Sequence, residues 1–374
     1  MRPELAGVPM AVTGDPKQRT GIILARNELA KKCGVLTAET IWKARQKCPA
    51  LVCVPPQHTK YREFSERCNE IYYRFTDLVE PFGIDESWLD VTGTVHLFGD
   101  GEEIAEKLRA AVREELGITI SVGVSFNKVF AKLGSDYKKP DATTVISRET
   151  GKRLVFPLPV TDLLYVGRKS AAVLEKLGIT TIGQLAKYDR GVLVAHLGQL
   201  GGTIHDYANG RDESAVLPYG NKREEKSISC GETFEVDIAD YAVLYGRLLK
   251  LAENVGWRMR RGGVKAATLQ VGIKDPQFKV IQRQRKLDVA TNLTAEIAEI
   301  AMEIIRVNWR EGRPIRAVTI NASALVSEDL ADEQISFFGD GGKRERAERL
   351  QRAVDEVNEK AGRDCLGFGV DSGQ

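Results

Sequence analysis

The run Phe82-Gly83-Ile84-Asp85-Glu86-Ser87-Trp88-Leu89-Asp90-Val91-Thr92 decides how the rest of the chain is read. Apolar Ile84, Trp88 and Leu89 surround two adjacent carboxylates, Asp85 and Glu86, which predicts a buried strand pair rather than a solvated loop. Two buried, adjacent negative charges repel each other and lose hydration, so they either protonate or hold a cation. Hard oxygen donors suit Mg²⁺, which takes one or two carboxylates and completes its shell with substrate phosphates. The other account is an ion pair with Arg or Lys at a strand end, and for an Asp-Glu dipeptide in isolation it is the better one.

A second stretch shifts that balance. Val124-Ser125-Phe126-Asn127-Lys128-Val129-Phe130-Ala131-Lys132-Leu133-Gly134-Ser135-Asp136-Tyr137-Lys138-Lys139-Pro140 follows a predicted strand over 118–124, read as buried on both faces. Ser125 or Asn127 can cap the helix after it, so that backbone N–H groups and lysines converge at its start, as a triphosphate with bound Mg²⁺ requires. No GxxxxGK run is present, which excludes a P-loop. Without the acidic hairpin, this segment would be only a capped surface helix with lysines for solubility.

Upstream, short strands are expected at 8–12 and 21–24, with helices over Asn27–Cys33, ended by Gly34, and Thr40–Lys47, ended before Pro49. Phe64, Cys68, Ile71, Tyr72 and Phe75 form one helical stripe, and Ile104, Leu108, Val112 and Leu116 form another that stops at Gly117. Helices alternating with strands predict an α/β sheet packed by helices. From Asp162 to Arg211, short helical hairpins turn on glycines, and N–H groups beside Arg168 and Lys169 can grip a DNA phosphate without reading sequence; such hairpins also serve as plain packing elements. A polar stretch near 218–226 reads as a linker. Beyond it the order βαββαβ over 227–322 is the split βαβ arrangement. Arg258, Arg260, Arg261, Lys265, Lys279, Arg283, Arg285 and Lys286 give it a basic surface, read as a phosphate-backbone platform or, equally, as a solvated face.

The formal net charge of the 374 residues is only +2, so nucleic-acid binding has to come from local patches. Six cysteines without CxxC spacing and four scattered histidines argue against a zinc site or a disulfide framework. With no apolar run of membrane-spanning length and no signal peptide, a cytoplasmic protein without a membrane partner is expected.

Together these motifs resemble those of the Y-family, lesion-bypass DNA polymerases of the polymerase IV/ImpB/MucB/SamB type. The resemblance covers nearly the whole chain and rests on Gly83 to Asp90, on Gly123 to Lys132 with Asp136 and Lys138-Lys139-Pro140, on the hairpin at Val166-Gly167, and on the strand from Lys226. It implies an α/β (α+β) right-hand polymerase: fingers over 1–56, a ferredoxin-like palm over 57–148, a helix-hairpin-helix thumb over 149–216, a linker over 217–226, a βαββαβ little finger over 227–325, and a tail over 326–374. It implies a monomer that transfers nucleotides from dNTPs to a primer 3′-OH on damaged primer–template DNA. Asp85 and Glu86 become catalytic ligands of two Mg²⁺ ions, and Asn27, Lys31 and Lys139 become contacts to the nucleotide. Gly167, Arg168, Lys169, Arg283 and Arg285 become DNA contacts. Gln334, Ile335, Phe337 and Phe338 resemble a sliding-clamp-binding peptide, with Phe337 where Leu is more usual.

Two departures stand against the family pattern. Its members open with a palm strand that bears another metal-binding Asp, followed by an aromatic that excludes ribonucleotides; this sequence starts after that point, and Asp15 and Asp90 read as structural. The expectation is a protein that begins upstream. In the fingers, Glu28 and Lys31 stand where the family often carries an aromatic and an Arg. The alternative is therefore a catalytically silent DNA- and clamp-binding remnant. A nucleotidyl cyclase-like enzyme sharing the acidic palm is disfavoured, because it would need neither the phosphate-gripping hairpins nor the separate basic domain.

Overall fold

Several helices in this chain start at a residue whose side chain caps them, Asn27, Thr40, Asp100 and Asn127 among them. In the computed structural model, which describes residues 3–15, 21–220, 225–328, 341–361 and 365–366, two compact units separate: 57–222, and 1–56 together with 223–374.

Over the first 56 residues, β1 (Met10–Thr13) pairs antiparallel with β2 (Ile23–Arg26) and parallel with β3 (Val52–Val54). Helices α1 (Glu28–Lys32) and α2 (Ile41–Lys47) pack on them around a small core of Ala11, Ile23, Ala30, Val35, Ile41, Ala44, Cys48 and Leu51. Asn27 fixes the entry to α1. Its Oδ1 accepts from the N–H groups of Met10 and Ala30, and its Nδ2 donates to Val8 O, so one side chain caps the helix and latches it to β1.

The unit from 57 to 222 opens with α3 (His58–Tyr73), β4 (Val79–Pro81), β5 (Ser87–Leu89), α4 (Val95–Phe98) and α5 (Gly101–Leu116). A capping box between Asp100 and Glu103 starts α5, and Gly117, in the left-handed region at φ 65°, stops it. Its predicted stripe of Ile104, Leu108, Val112 and Leu116 packs on Cys68 and Ile71 of α3. Then come β6 (Val122–Ser125), α6 (Lys128–Tyr137) and β7 (Thr143–Ile146).

The palm sheet departs from expectation. β4 and β5 form one antiparallel ribbon and β6 and β7 one parallel ribbon, rather than a single ferredoxin-like sheet. Among the described residues no strand pairs with the second edge of β5 or of β6. With one edge paired, β6 is shorter than the predicted strand and only half-buried along its length.

Helices α7 (Gly151–Val155), α8 (Arg168–Lys176), α9 (Ile182–Lys187), α10 (Arg190–Leu197) and α11 (Gln199–Ala208) complete this unit. The two predicted hairpins are present, α8–α9 turning through Gly178 (φ 74°) and α10–α11 through Gly198 (φ 63°). Leu174, Ile182, Leu185, Leu193 and Ile204 share a core with Val129, Phe130 and Leu133 of α6.

The C-terminal part runs β8 (Ser227–Ile238), α12 (Tyr241–Arg261), β9 (Val264–Lys274), β10 (Val280–Thr291), α13 (Thr294–Asn308) and β11 (Ile315–Ser327). This is the expected βαββαβ order, and the sheet runs β10-β9-β11-β8 with every neighbour antiparallel. One face carries Leu269, Val271, Val318 and Ile320 against Leu248, Val255, Ile297 and Ile305 of α12 and α13. A last helix, α14 (Gly341–Ala361), sets Asp355 against Arg260 (2.6 Å) and Glu348 against Lys265 (3.1 Å). Arg260 and Lys265 therefore do not belong to a basic surface: their side chains are only 8% and 3% exposed and already paired. No described helix is long and apolar enough to cross a membrane.

Candidate active site

Strand pairing between β4 and β5 ends at Pro81 opposite Ser87, and Phe82 N–H closes the turn by donating to Glu86 O at 2.8 Å. Gly83, Ile84 and Asp85 form the bend beyond it. Asp85 is exposed, Glu86 is half-exposed, and Ile84 stands half out of the protein. The acids are thus not buried as the apolar flanks suggested. Trp88, on the strand behind the tip, carries the apolar packing instead: its ring lies 4.3 Å from that of Phe82, and its Nε1 donates to Lys128 O at 3.2 Å. Both acids stay hydrated, so desolvation does not force a cation upon them.

Helix α6 faces this tip. Of the two candidate caps, Asn127 fills the role, accepting from Phe130 N–H at 2.9 Å, while Ser125 Oγ donates to Ile146 O. Asn127 Nδ2 also reaches Gly210 O at 2.8 Å, fixing the start of α6 to the end of the α10–α11 hairpin. Gly123 lets helix and strand touch, since a Cβ there would sit 1.9 Å from Ala131 O.

Lys128, Lys132 and Asp136 follow at four-residue spacing on one face of α6. Lys128 Nζ meets Glu80 Oε2 at 2.5 Å and donates to Ala215 O, while Leu217 N–H donates to the same Glu80 oxygen. Lys132 Nζ lies 2.9 Å from Glu86 Oε1 and 2.6 Å from Asp136 Oδ2, and Lys139 Nζ lies 2.5 Å from Asp136 Oδ1. Partial burial works against the Lys132 ammonium, but Asp136 and Glu86 outweigh it and raise its pKa. Burial likewise opposes the Asp136 carboxylate, and Lys132 and Lys139 prevail and hold it below the ordinary carboxylate range. The result is an alternating chain, Glu86–Lys132–Asp136–Lys139, with Asp85 at its open end. Among the described residues the Asp85 carboxylate accepts no hydrogen bond.

This donor set fits one hard cation. Asp85 and Glu86 supply adjacent carboxylate oxygens, and triphosphate oxygens can complete a shell. No group of three or more His, Cys, Asp or Glu side chains gathers among the described residues. Asp90 is committed elsewhere, its Oδ1 accepting from Thr92 N–H at 2.9 Å. Lys132 and Lys128 were not among the expected site residues, although their i, i+4 spacing ahead of Asp136 is a readable signal in the sequence.

The remaining predicted residues fare unevenly. Asn27 holds its latch with both amide atoms, which leaves Nδ2 one further N–H to donate. Lys31 is exposed and only loosely paired with Glu28, at 3.6 Å. Gly167 begins α8 in extended conformation with no side-chain cap, and Arg168 and Lys169 are exposed beside it, as an anion-gripping helix start requires. Arg283 and Arg285 share the helix-side parity of Ile281 and Leu287 on β10 and engage α13, Arg283 through Asn308 and Arg285 through Glu303. The opposite face of that sheet is polar and small: Ser229, Thr233, Gln270, Lys274, Gln282 and Asn321 line it. Gln334, Ile335, Phe337 and Phe338 lie outside the described residues.

Residues 1–136 match the model of the impB/mucB/samB family, and residues 225–337 match that of its C-terminal domain. The chain is 44% identical over 360 residues to a DNA polymerase IV of Acetivibrio thermocellus, covering 96% of this chain and 90% of that protein. It is 38% identical over 361 residues to a DNA polymerase IV of Moorella thermoacetica, covering 96% and 89%. Among solved structures it is similar to a Y-family DNA polymerase chimera, with a TM-score of 0.75 at 23% identity over 87% of this chain and 94% of the other.

Proposed function

From the premise that the chain belongs to the impB/mucB/samB family of Y-family, lesion-bypass DNA polymerases, and so is a DNA-directed DNA polymerase, we propose that Asp85 and Glu86 form its nucleotidyl-transfer centre. The observation that carries this is the exposed acid pair whose neighbouring lysines are ordered by Asp136. When bound there, Mg²⁺ supplies charge neutralisation for the triphosphate and lowers the cost of ionising the primer hydroxyl. Asp85, whose carboxylate accepts no hydrogen bond among the described residues, offers the open carboxylate. Glu86 gives up part of its pairing with Lys132 on binding, and the released ammonium turns to the triphosphate, so positive charge follows the phosphates into the site. Lys139 and Lys31 are proposed as further phosphate contacts, whereas Asn27 acts through α1. Catalysis of this kind is mostly positioning and electrostatics.

Primer–template DNA and dNTPs are the substrates that this family reading brings. The uncapped start of α8 with Arg168 and Lys169 is proposed to hold a backbone phosphate. The open face of the C-terminal sheet, rather than Arg283 and Arg285, is proposed as the second backbone contact. Clamp binding through Gln334, Ile335, Phe337 and Phe338, and action as a monomer, follow from the resemblance.

Primer extension with Mg²⁺ on a short primed template tests the reading, with Asp85→Ala as the comparison. The chain is expected to extend the primer, and the variant to lose extension by at least about a hundredfold while keeping DNA affinity. Equal extension by both removes Asp85 from the mechanism. Absence of extension by the unaltered chain, with DNA binding intact, favours the silent DNA-binding alternative.

A further inference from the structure

Two cysteines meet at paired helix ends, outside the acidic hairpin and the helix that faces it. Cys33 ends α1, its N–H donating to Leu29 O, and Cys48 ends α2, its N–H donating to Ala44 O. Lys47 Nζ donates to Gly34 O at 3.0 Å, tying the residue before Cys48 to the residue after Cys33. Gly34 takes the left-handed turn, at φ 79°, that brings the chain back, and Val35 N–H returns to Ala30 O at 3.2 Å. Cys33 and Cys48 thus lie on neighbouring helix ends, near enough for their thiols to interact. Cys33 is exposed and Cys48 is buried, at 3%, inside the core of Ala30, Val35, Ala44 and Leu51.

We propose that Cys33 and Cys48 are a redox modification site, closing reversibly to a disulfide when the protein meets a peroxide. The pairing is asymmetric in the way such a reaction needs. Solvent reaches Cys33 first, and its thiolate attacks one peroxide oxygen; the O–O bond breaks, one water leaves, and Cys33 carries a sulfenic acid. Cys48 sulfur then attacks Cys33 sulfur, the S–O bond breaks, and hydroxide takes up the Cys48 proton as a second water. Two thiols and one hydrogen peroxide thus give one disulfide and two waters. Burial first, and the adjacent Cys33 second, push the Cys48 thiol up, which keeps peroxide chemistry on Cys33; Cys48 serves the second step by its position beside Cys33 and not by its acidity. The cross-link joins the carboxyl ends of α1 and α2 and closes the loop that carries Glu39, already held by Lys47 at 2.7 Å. The inference is independent of the catalytic reading.

The test uses the full chain, treated with hydrogen peroxide near stoichiometry and mapped by intact mass and peptide mass spectrometry. The expected result is a loss of about 2 Da restored by dithiothreitol, with one linked peptide joining Cys33 to Cys48. Cys33→Ser, a surface change, should show no such loss. Cys48→Ala should instead accumulate a dimedone-reactive sulfenic acid on Cys33. A dimedone adduct on Cys33 of the unaltered chain without loss of mass would overturn the proposal, as would a linked peptide that joins either residue to Cys53 or any other cysteine.

Discussion

Glu80 and Lys128 hold the acidic hairpin to α6 with side chains only 5% and 10% exposed. Removing one partner of so buried a pair strands the other charge, which costs about 3–5 kcal/mol. Glu80→Ala is therefore expected to lower the urea midpoint of the full chain strongly and to free Leu217 as well, whose N–H shares the same oxygen. Glu80→Gln, which keeps an acceptor for both donors, should lose clearly less; equal losses would remove charge from the account. Asp136 gives a pH-dependent counterpart. Because Lys132 and Lys139 hold its folded pKa below the unfolded value, its stabilisation is full above about pH 5 and disappears as pH falls through the folded value. The stability gap between the unaltered chain and Asp136→Asn should be constant from pH 5 to 7 and close in stronger acid. A gap that persists at acid pH would refute the coupling.

At the scale of elements, the decisive contact is helix α6 lying directly on β6. Gly123 makes that possible, and Gly134, whose added Cβ would come 3.0 Å from Gly123 Cα, matches it from the helix side. Gly123→Ala would drive a methyl into the carbonyl of Ala131, a backbone atom that cannot swing aside. The expected cost is about 1–3 kcal/mol in thermal or urea unfolding. The same displacement moves Lys132 away from Glu86, so nucleotide incorporation should fall further than stability alone explains; unchanged incorporation would show that the lysine's place is not critical. The ribbons β4–β5 and β6–β7 explain why this contact matters. Without a strand bonding both, the hairpin is held to the helix by side chains: Trp88 on Lys128 O, Glu80 on Lys128 and Glu86 on Lys132.

For the whole molecule, a net charge of +2 leaves DNA affinity to local surfaces, and the structure separates those that are open from those already satisfied. Lys274 and Lys286 lie on the open face of the C-terminal sheet, in register with Val280 and Thr268. Replacing either with Ala should reduce the slope of log affinity against log salt by about 0.9, the value for one phosphate contact. Arg285→Ala should leave that slope unchanged, because its guanidinium is engaged by Glu303 on the helix side. The reverse pattern in a salt titration with primer–template DNA would return the interface to the arginines.

Local pattern determined much of this protein. Glycine turns, caps and apolar stripes placed the helices and strands, because each is set by a few neighbouring residues: Gly117 ends α5, and Asn127 begins α6. The adjacency of Asp85 and Glu86, and the lysines after Asn127, were equally legible as a hairpin and helix belonging together. What the tertiary structure alone decided was which groups are available. Asn27 had the composition of a nucleotide contact, and only the fold shows that its amide also latches α1 to β1 through Met10, Ala30 and Val8. Arg283 and Arg285 had the charge of DNA contacts, but alternation along β10 turns them toward α13. Arg260 and Lys265 were basic in sequence and neutralised in space by α14. Charge is a property of a residue, whereas exposure and partnership depend on residues brought from elsewhere in the chain, and no local pattern contains them.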